Sequence, residues 1–364
     1  MNYERSNIKK MTGYTPGEQP DSAAIIKLNT NENPFPASPA VAAALATIRV
    51  DSLRRYPPPT ALPLRTALAA CHRVHADNII VTNGGDELLR LAISTFVETS
   101  DAIAIANPSY SLYEVLAQAH GCGMIKLELR DDWSLPTDFG QQLNASGATM
   151  CLLVNPHAPS GQLTDSDELR QLAADFKGVL VIDEAYVDFV DPEQGHDCLP
   201  LIREFDNVLI LRTFSKGYSL AGLRMAYGLA AGSLIAPMQH KTKDSYNTDF
   251  IAQTLARAAI ESRAYAAETW AYVRRERTIM ADSLQKMGFH SHPSQSNFLL
   301  VGVPSLFTAE SLYEALKQRG ILIRYFNQPR LRDKLRISLG TQTENARLID
   351  ALRDITGAGQ GLRI

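Results

Sequence analysis

VLILRTFSKGYSLAGLR, Val208 to Arg224, starts as an apolar run and ends as a basic, hydroxyl-rich loop. Val208 to Leu211 are apolar without alternation, the pattern of a strand covered on both faces, as in a parallel sheet. A lysine just beyond the carboxyl end of such a strand lies where open α/β sheets hold their ligands. Around Lys216, Thr213 and Ser215 offer hydroxyls, and Arg224 offers a planar fork that matches a phosphate with two parallel hydrogen bonds. Together they can grip a phosphorylated aldehyde while the Lys216 amine closes an imine with it. A lysine taken alone is more simply a solvated loop residue; here the neighbours argue against that.

Outward from this stretch, short apolar runs alternate with helical patterns. Asn78 to Thr82, Ala102 to Ala106, Met150 to Val154 and Val179 to Ile182 read as buried strands. Between them, Asp86 to Phe96 places Leu88, Leu89, Ala92, Ile93 and Phe96 on one helical stripe, and Asp165 to Phe176 opens on cap-competent residues. The fold class is therefore α/β: a large ligand-binding domain with a mostly parallel central sheet flanked by helices. After Met238 the texture changes to long helices, then strands over Phe298 to Val301, Ile321 to Phe326 and Leu335 to Leu339, with helices over Ser311 to Gln318 and from Asn345. That predicts a smaller α+β carboxyl-terminal domain. The expected division is an irregular arm over 1–33, a large domain over 34–240 and a small domain over 241–364, with Tyr56 and the three prolines after it forming a stiff, exposed turn.

The 364 residues are too many for one ordinary core, which agrees with two domains. A net charge of −3 gives no positive field, so neither nucleic acid nor an anionic membrane is an expected partner. Cys71, Cys122, Cys151 and Cys198 form no CxxC pair, so neither a disulfide framework nor a zinc site is expected. The first residues lack an apolar run with a small-residue cleavage site, and no stretch of membrane-span length is free of charge. A cytoplasmic enzyme acting on small molecules is the expectation.

Three further strand ends carry chemistry. Val179 to Ile182 delivers Asp183, and a buried carboxylate needs a cation or good hydrogen bonds. A protonated pyridine nitrogen would supply the cation, and Tyr186, three residues on, could donate to the ring's phenolate oxygen. A helix cap or a magnesium-binding carboxylate is the plainer role for Asp183, but no GxxxxGK[ST] phosphate loop accompanies it. Thr82 to Glu87, TNGGDE, turns from a strand into a helix, so the N–H groups of Gly85 and Asp86 could cradle a phosphate. Alone that turn would be ordinary. Asn107-Pro-Ser-Tyr110 places an aromatic face at another strand end, where Tyr110 could stack on a pyridine ring; Tyr113, one turn later, reads better as core.

Taken together, these pieces resemble the fold-type I pyridoxal 5′-phosphate enzymes of the aspartate aminotransferase superfamily, and within it the histidinol-phosphate aminotransferase branch. The resemblance runs over nearly the whole chain. It takes in Tyr14-Thr-Pro-Gly-Glu, Leu28-Asn-Thr-Asn-Glu-Asn-Pro34, Arg55-Tyr56-Pro57, the TNGGDE turn, Asp183 to Tyr186, the Lys216 loop with Arg224, Ile323-Arg324-Tyr325-Phe326 and Leu335-Arg336-Ile337-Ser338. It implies a transaminase with Lys216 as the Schiff-base lysine, Asp183 as the pyridinium partner, Tyr186 as the donor to the ring hydroxyl and Tyr110 as the stacking ring. Gly85, Asp86, Thr213, Ser215 and Arg224 match phosphate-binding positions. Tyr56 matches a residue that reaches the cofactor phosphate of a neighbouring subunit, so a homodimer with shared sites is implied. Arg336 matches the clamp for a substrate α-carboxylate, while Arg324, Tyr14 and Asn31 match substrate-side positions. The implied partners are an amino donor, histidinol phosphate first, and a 2-oxo acid acceptor such as 2-oxoglutarate. Threonine-phosphate decarboxylase and aminotransferases of specialised routes share the scaffold.

One position departs from the pattern. The family's NPxNPTG loop reads here Asn155-Pro-His-Ala158-Pro-Ser-Gly161, so alanine replaces the asparagine that donates to the ring oxygen. Losing a hydrogen bond to a charged atom is worth about 1.5 to 3 kcal/mol. Tyr186 then becomes the main donor, unless His157 or a water fills the gap. His72 and His75 have no third ligand at metal spacing and read as a surface helix face. Leu220 to Met238 contains Arg224 and reads as buried loop and strand rather than membrane.

Overall fold

The computed structural model describes residues 3–20, 22 and 24–357. Near the amino terminus a two-residue strand, β1 (Ile26–Lys27), leaves its neighbours in sequence and pairs in parallel with β11 (Ile321–Leu322), almost 300 residues later. The central sheet contains β2 (Ile79–Thr82), β3 (Ala102–Asn107), β4 (Gly123–Glu128), β5 (Met150–Val154), β6 (Val179–Asp183), β7 (Val208–Thr213) and β8 (Ala226–Ala230). Their order is β2-β8-β7-β6-β5-β3-β4. Only β8 runs against the rest, pairing antiparallel with both β2 and β7. The apolar runs at β5, β6 and β7 form strands because helices bury both of their faces: Cys151, Ile182 and Ile210 belong to one core, and Leu152, Val181 and Leu209 to the other.

A four-stranded sheet stands apart, with β9 (His290–Ser291), β10 (Phe298–Gly302), β12 (Arg324–Tyr325) and β13 (Lys334–Ser338) in the order β12-β13-β10-β9. The helices carry the caps their sequences promise. The Asp165 carboxylate accepts from the N–H groups of Asp167 and Glu168 at the start of Ser166–Asp175, and Thr341 and Glu344 form a reciprocal capping box before Gln342–Thr356. Among the described residues no helix is long and apolar enough to cross a membrane.

Four expectations need correction. The arm is not wholly irregular, since it carries the helix Ser6–Lys10 and β1. The strand expected over Ile321 to Phe326 divides: Ile321 and Leu322 pair with β1, whereas Arg324 and Tyr325 pair with β13. The strand β4 was not expected, because it lies at the sheet edge and alternates exposed with half-buried residues instead of forming an apolar run. His72 does not sit on a surface face; it is buried, with Nε2 2.9 Å from the Tyr227 hydroxyl.

Candidate active site

Because six of the seven central strands run in one direction, their carboxyl ends share one edge of the sheet, and the segments that follow β2, β3, β5, β6 and β7 all line a cavity of about 490 Å³ there. The cavity brings together thirteen of the fourteen site residues expected from the sequence: Lys216, Asp183, Tyr186, Gly85, Asp86, Tyr110, Thr213, Ser215, Arg224, Tyr14, Asn31, Arg324 and Arg336. Tyr56 is the exception. It lies outside, four-fifths exposed, with its ring stacked on Tyr246 at 4.3 Å.

The Lys216 loop is held from below and from the side. The Ser215 N–H donates to Thr213 Oγ1 at 3.0 Å. Behind Lys216, the Gly217 carbonyl accepts from Trp270 Nε1 at 2.6 Å and from Asn33 Nδ2 at 3.3 Å. Any side chain at 217 would run into the Asp188 carboxylate, so the sequence needs glycine there. Lys216 is half-buried, and its Nζ donates to the Thr30 carbonyl at 2.7 Å. Burial, with the Arg336 guanidinium adding to it, lowers its pKa to about 8.

Across the loop, Gly84 takes a φ of +80° immediately before the helix Gly85–Phe96. A Cβ there would stand 2.6 Å from Arg224 Nη2, so the turn and the guanidinium can approach only because residue 84 has no side chain. Arg224 also lies 3.6 Å from Asp86. This corner offers helix N–H groups, the Thr213 and Ser215 hydroxyls and a half-exposed guanidinium, the set that a phosphate monoester uses.

Asp183 occupies the floor. Its Oδ2 accepts from the Tyr113 hydroxyl at 2.8 Å and its Oδ1 from the Ala185 N–H at 3.1 Å. Among the described residues it forms no salt bridge, and burial raises its carboxyl to about 6. Tyr110 meets Tyr113 edge-on at 5.5 Å and Tyr14 at 5.9 Å. Tyr113 is core, as its apolar neighbours suggest, yet its hydroxyl orients Asp183. No signal near Tyr113 in the sequence points to that contact.

On the far wall, Arg336 donates from Nη2 to the Asn29 carbonyl at 3.0 Å and lies over the rings of Phe298 and Phe326. Its buried Nε has no hydrogen-bond partner among the described residues. Arg324 also lies over the Phe326 ring and contacts the Thr15 and Pro16 carbonyls at 3.3 and 3.4 Å. Asn31 lines the wall with φ +56°, and its Nδ2 donates to the Tyr186 hydroxyl at 3.0 Å. Ala158 is buried and lines the same cavity. His157 does not fill the place of the missing asparagine: one ring nitrogen is 2.7 Å from Ser160 Oγ, the other 2.9 Å from the Pro108 carbonyl, and burial lowers its pKa to about 4.

Pyridoxal 5′-phosphate fits these residues. A buried carboxyl without a cation among the described residues suits a pyridinium nitrogen, a half-buried amine with its pKa lowered to about 8 suits an aldehyde, and the Gly84–Arg224 corner suits the phosphate.

Residues 23–352 match the family model "Aminotransferase class I and II", and the chain belongs to that family. It is 43% identical over 355 residues to histidinol-phosphate aminotransferase 1 of Trichormus variabilis, covering 97% of this chain and 99% of the relative. It is 40% identical over 353 residues to histidinol-phosphate aminotransferase of Microcystis aeruginosa, with 97% and 98% covered. The fold matches the crystal structure of histidinol-phosphate aminotransferase from Sinorhizobium meliloti in complex with pyridoxal 5′-phosphate, with a TM-score of 0.87, 23% identity and 98% of each chain covered. It also matches L-threonine-O-3-phosphate decarboxylase from Porphyromonas gingivalis, with a TM-score of 0.79, 23% identity, and 92% of this chain and all of the other covered.

Proposed function

We propose that the chain is a pyridoxal 5′-phosphate-dependent histidinol-phosphate aminotransferase, passing the amino group of L-histidinol phosphate to 2-oxoglutarate to give imidazole acetol phosphate and glutamate. The observation that carries the reading is the meeting, at one sheet edge, of a half-buried amine, a buried carboxyl without a cation and a guanidinium whose buried Nε–H is unmatched among the described residues. The full-length relatives at 40 and 43% identity support the substrate.

In this reading Lys216 carries the cofactor, Asp183 faces its ring nitrogen, Tyr110 covers its ring and Tyr186 donates to its ring oxygen. Gly85, Asp86, Thr213, Ser215 and Arg224 hold its phosphate. When bound, the cofactor supplies an electron sink that stabilises negative charge at the donor's α-carbon. Lys216, whose lowered pKa leaves a usable neutral fraction, takes the proton from that carbon at Nζ. Arg336 and Arg324, with Tyr14 and Asn31 beside them, orient the donor; guanidinium accepts either the phosphate of histidinol phosphate or the carboxylates of glutamate.

The exposed Tyr56 and the groove lined by Leu53, Pro57, Phe250 and Ile251 support a homodimer in which Tyr56 reaches the phosphate of the second site. The absence of a membrane-spanning helix among the described residues agrees with a cytoplasmic enzyme. A domain division near residue 240 is supported by the separate carboxyl-terminal sheet, although the helix Phe250–Glu261 packs on the helices Pro39–Thr47 and Leu62–His72 of the first part. As a test, L-histidinol phosphate is added to the cofactor-loaded enzyme: the near-visible band should bleach within one turnover, and glutamate should form once 2-oxoglutarate follows. Carbon dioxide release from O-phospho-L-threonine with no bleaching would assign the chain to the decarboxylases instead.

A further inference from the structure

The cavity wall that carries Asn31 contains a chain of hydrogen bonds whose direction can be worked out atom by atom. The Asn31 backbone N–H donates to Ser338 Oγ at 2.9 Å. Ser338 Oγ donates to Asn31 Oδ1, also at 2.9 Å. With its oxygen engaged, the Asn31 carboxamide presents Nδ2 to the Tyr186 hydroxyl at 3.0 Å. An amide nitrogen can only donate, so Tyr186 must accept, and its own proton is left to point elsewhere. Reversing the amide would leave the buried Ser338 proton with no acceptor among the described residues, a costly arrangement.

The backbone holds this relay in place. Asn31 adopts the left-handed conformation, which asparagine tolerates better than most residues, and its carbonyl accepts from Asn297 Nδ2 at 2.9 Å. Phe298 packs edge-on against the Tyr186 ring at 5.1 Å. Tyr186 itself lines the cavity.

We propose that Asn31 and Ser338 act as positioning residues that aim the Tyr186 proton into the cavity, at the place where the ring oxygen of the bound cofactor would otherwise receive a donor from an asparagine at 158. The proposal rests on the cofactor reading above. In it, the family's two donors at this oxygen are reduced to one whose direction is fixed, and the polar support comes from the amino-terminal arm and from β13 rather than from the loop after β5. The charged and titratable groups around Tyr186 are Arg336 on β13, Asp183 on β6, Tyr14 on the arm, and Tyr110 and Tyr113 after β3; all five remain in every variant below.

The test is a spectrophotometric pH titration of the cofactor-loaded protein, read as the midpoint of the near-visible colour change. Asn31→Gly keeps the backbone conformation and removes the amide. Its midpoint is expected to rise by roughly one pH unit, the size of one lost hydrogen bond to a charged atom. Ser338→Ala should shift the midpoint the same way by less. Adding Ala158→Asn to Asn31→Gly should bring the midpoint back, because a donor is restored directly. With Phe at 186, Asn31→Gly should produce no further shift. An equal shift with Tyr or Phe at 186, no shift in either single variant, or no recovery with Ala158→Asn overturns the proposal.

A protein that takes up no pyridoxal 5′-phosphate contradicts the functional reading instead, and the relay is then read without cofactor. In protein with tyrosine labelled at the ζ-carbon, the Tyr186 resonance, assigned with Tyr186→Phe, should move in both Asn31→Gly and Ser338→Ala. A resonance that stays in place in both variants overturns the relay.

Discussion

Asp183 and Glu184 are neighbours in the chain, yet they leave the end of β6 toward opposite faces of the sheet and meet opposite treatment. Glu184 enters a closed cluster. Its Oε2 accepts from Arg212 Nε at 2.7 Å, and its Oε1 lies 3.3 Å from His196 Nε2. Burial alone would raise this carboxyl, but Arg212 and His196 outweigh burial and hold it at about 2. Asp183 is buried just as deeply with two hydrogen bonds and no cation, and its pKa rises to about 6. The chain has matched one charge internally and left the other to be matched by something it binds. A buried group whose partner the fold withholds is a better pointer to a site than burial or charge alone.

This contrast can be broken from either side. The largest expected effect is Lys216→Ala, which should lower kcat by about 10³-fold or more, as expected when a general base is removed. Its thermal midpoint should not fall, because a buried amine has been removed; a clear drop would mean that Lys216 holds the fold. Next, Glu184→Gln should destabilise the protein by about 3 to 5 kcal/mol, since it strands Arg212 in the interior. Asp183→Asn should do the reverse: cofactor affinity and kcat fall by about 10²-fold, while the cofactor-free chain melts no earlier. Equal melting losses for the two variants would erase the distinction.

The two carboxyls should also give opposite pH slopes in the cofactor-free protein. Glu184, depressed in the folded state, stabilises fully above its ordinary range near 4.5, and that contribution is lost as pH falls toward about 2. Asp183, raised in the folded state, contributes below its ordinary range near 3.8, and that contribution is lost as pH rises through about 6. In urea unfolding from pH 4 to 7, the stability of wild type relative to Asp183→Asn should therefore fall as pH rises through about 6. The smallest effect belongs to Tyr113→Phe, which removes one bond to a carboxylate and should weaken cofactor binding about tenfold, measured by equilibrium dialysis.

The sequence reveals this fold where its signals are local. The apolar runs at β5, β6 and β7 can exist only inside a covered sheet, and the residues that end them, Asp183 and Thr213 to Lys216, are read in the same glance. The edge strand β4 escapes because half of its residues face outward, and Ile321 to Phe326 looks continuous because nothing local says that Ile321 will find Ile26. The same limit applies inside the cavity. Tyr113 reaches Asp183 across 70 residues and Asn31 reaches Tyr186 across 155, so these partnerships depend on the finished topology. His72 was misplaced for this reason as well: its partner, Tyr227, lies on β8.

The pairing of β1 with β11, and of Asn31 with Ser338, also sets a timetable for synthesis. The segment that gives Lys216 its Thr30 contact leaves the ribosome early but lacks its strand partner until Leu322 has followed it, and the Ser338 contact until later still. The central sheet needs only residues up to 230, so it can assemble first, with its reactive lysine exposed. A nascent chain between these two points carries an open, half-built pocket, because Arg324 and Arg336 of its wall are still to come.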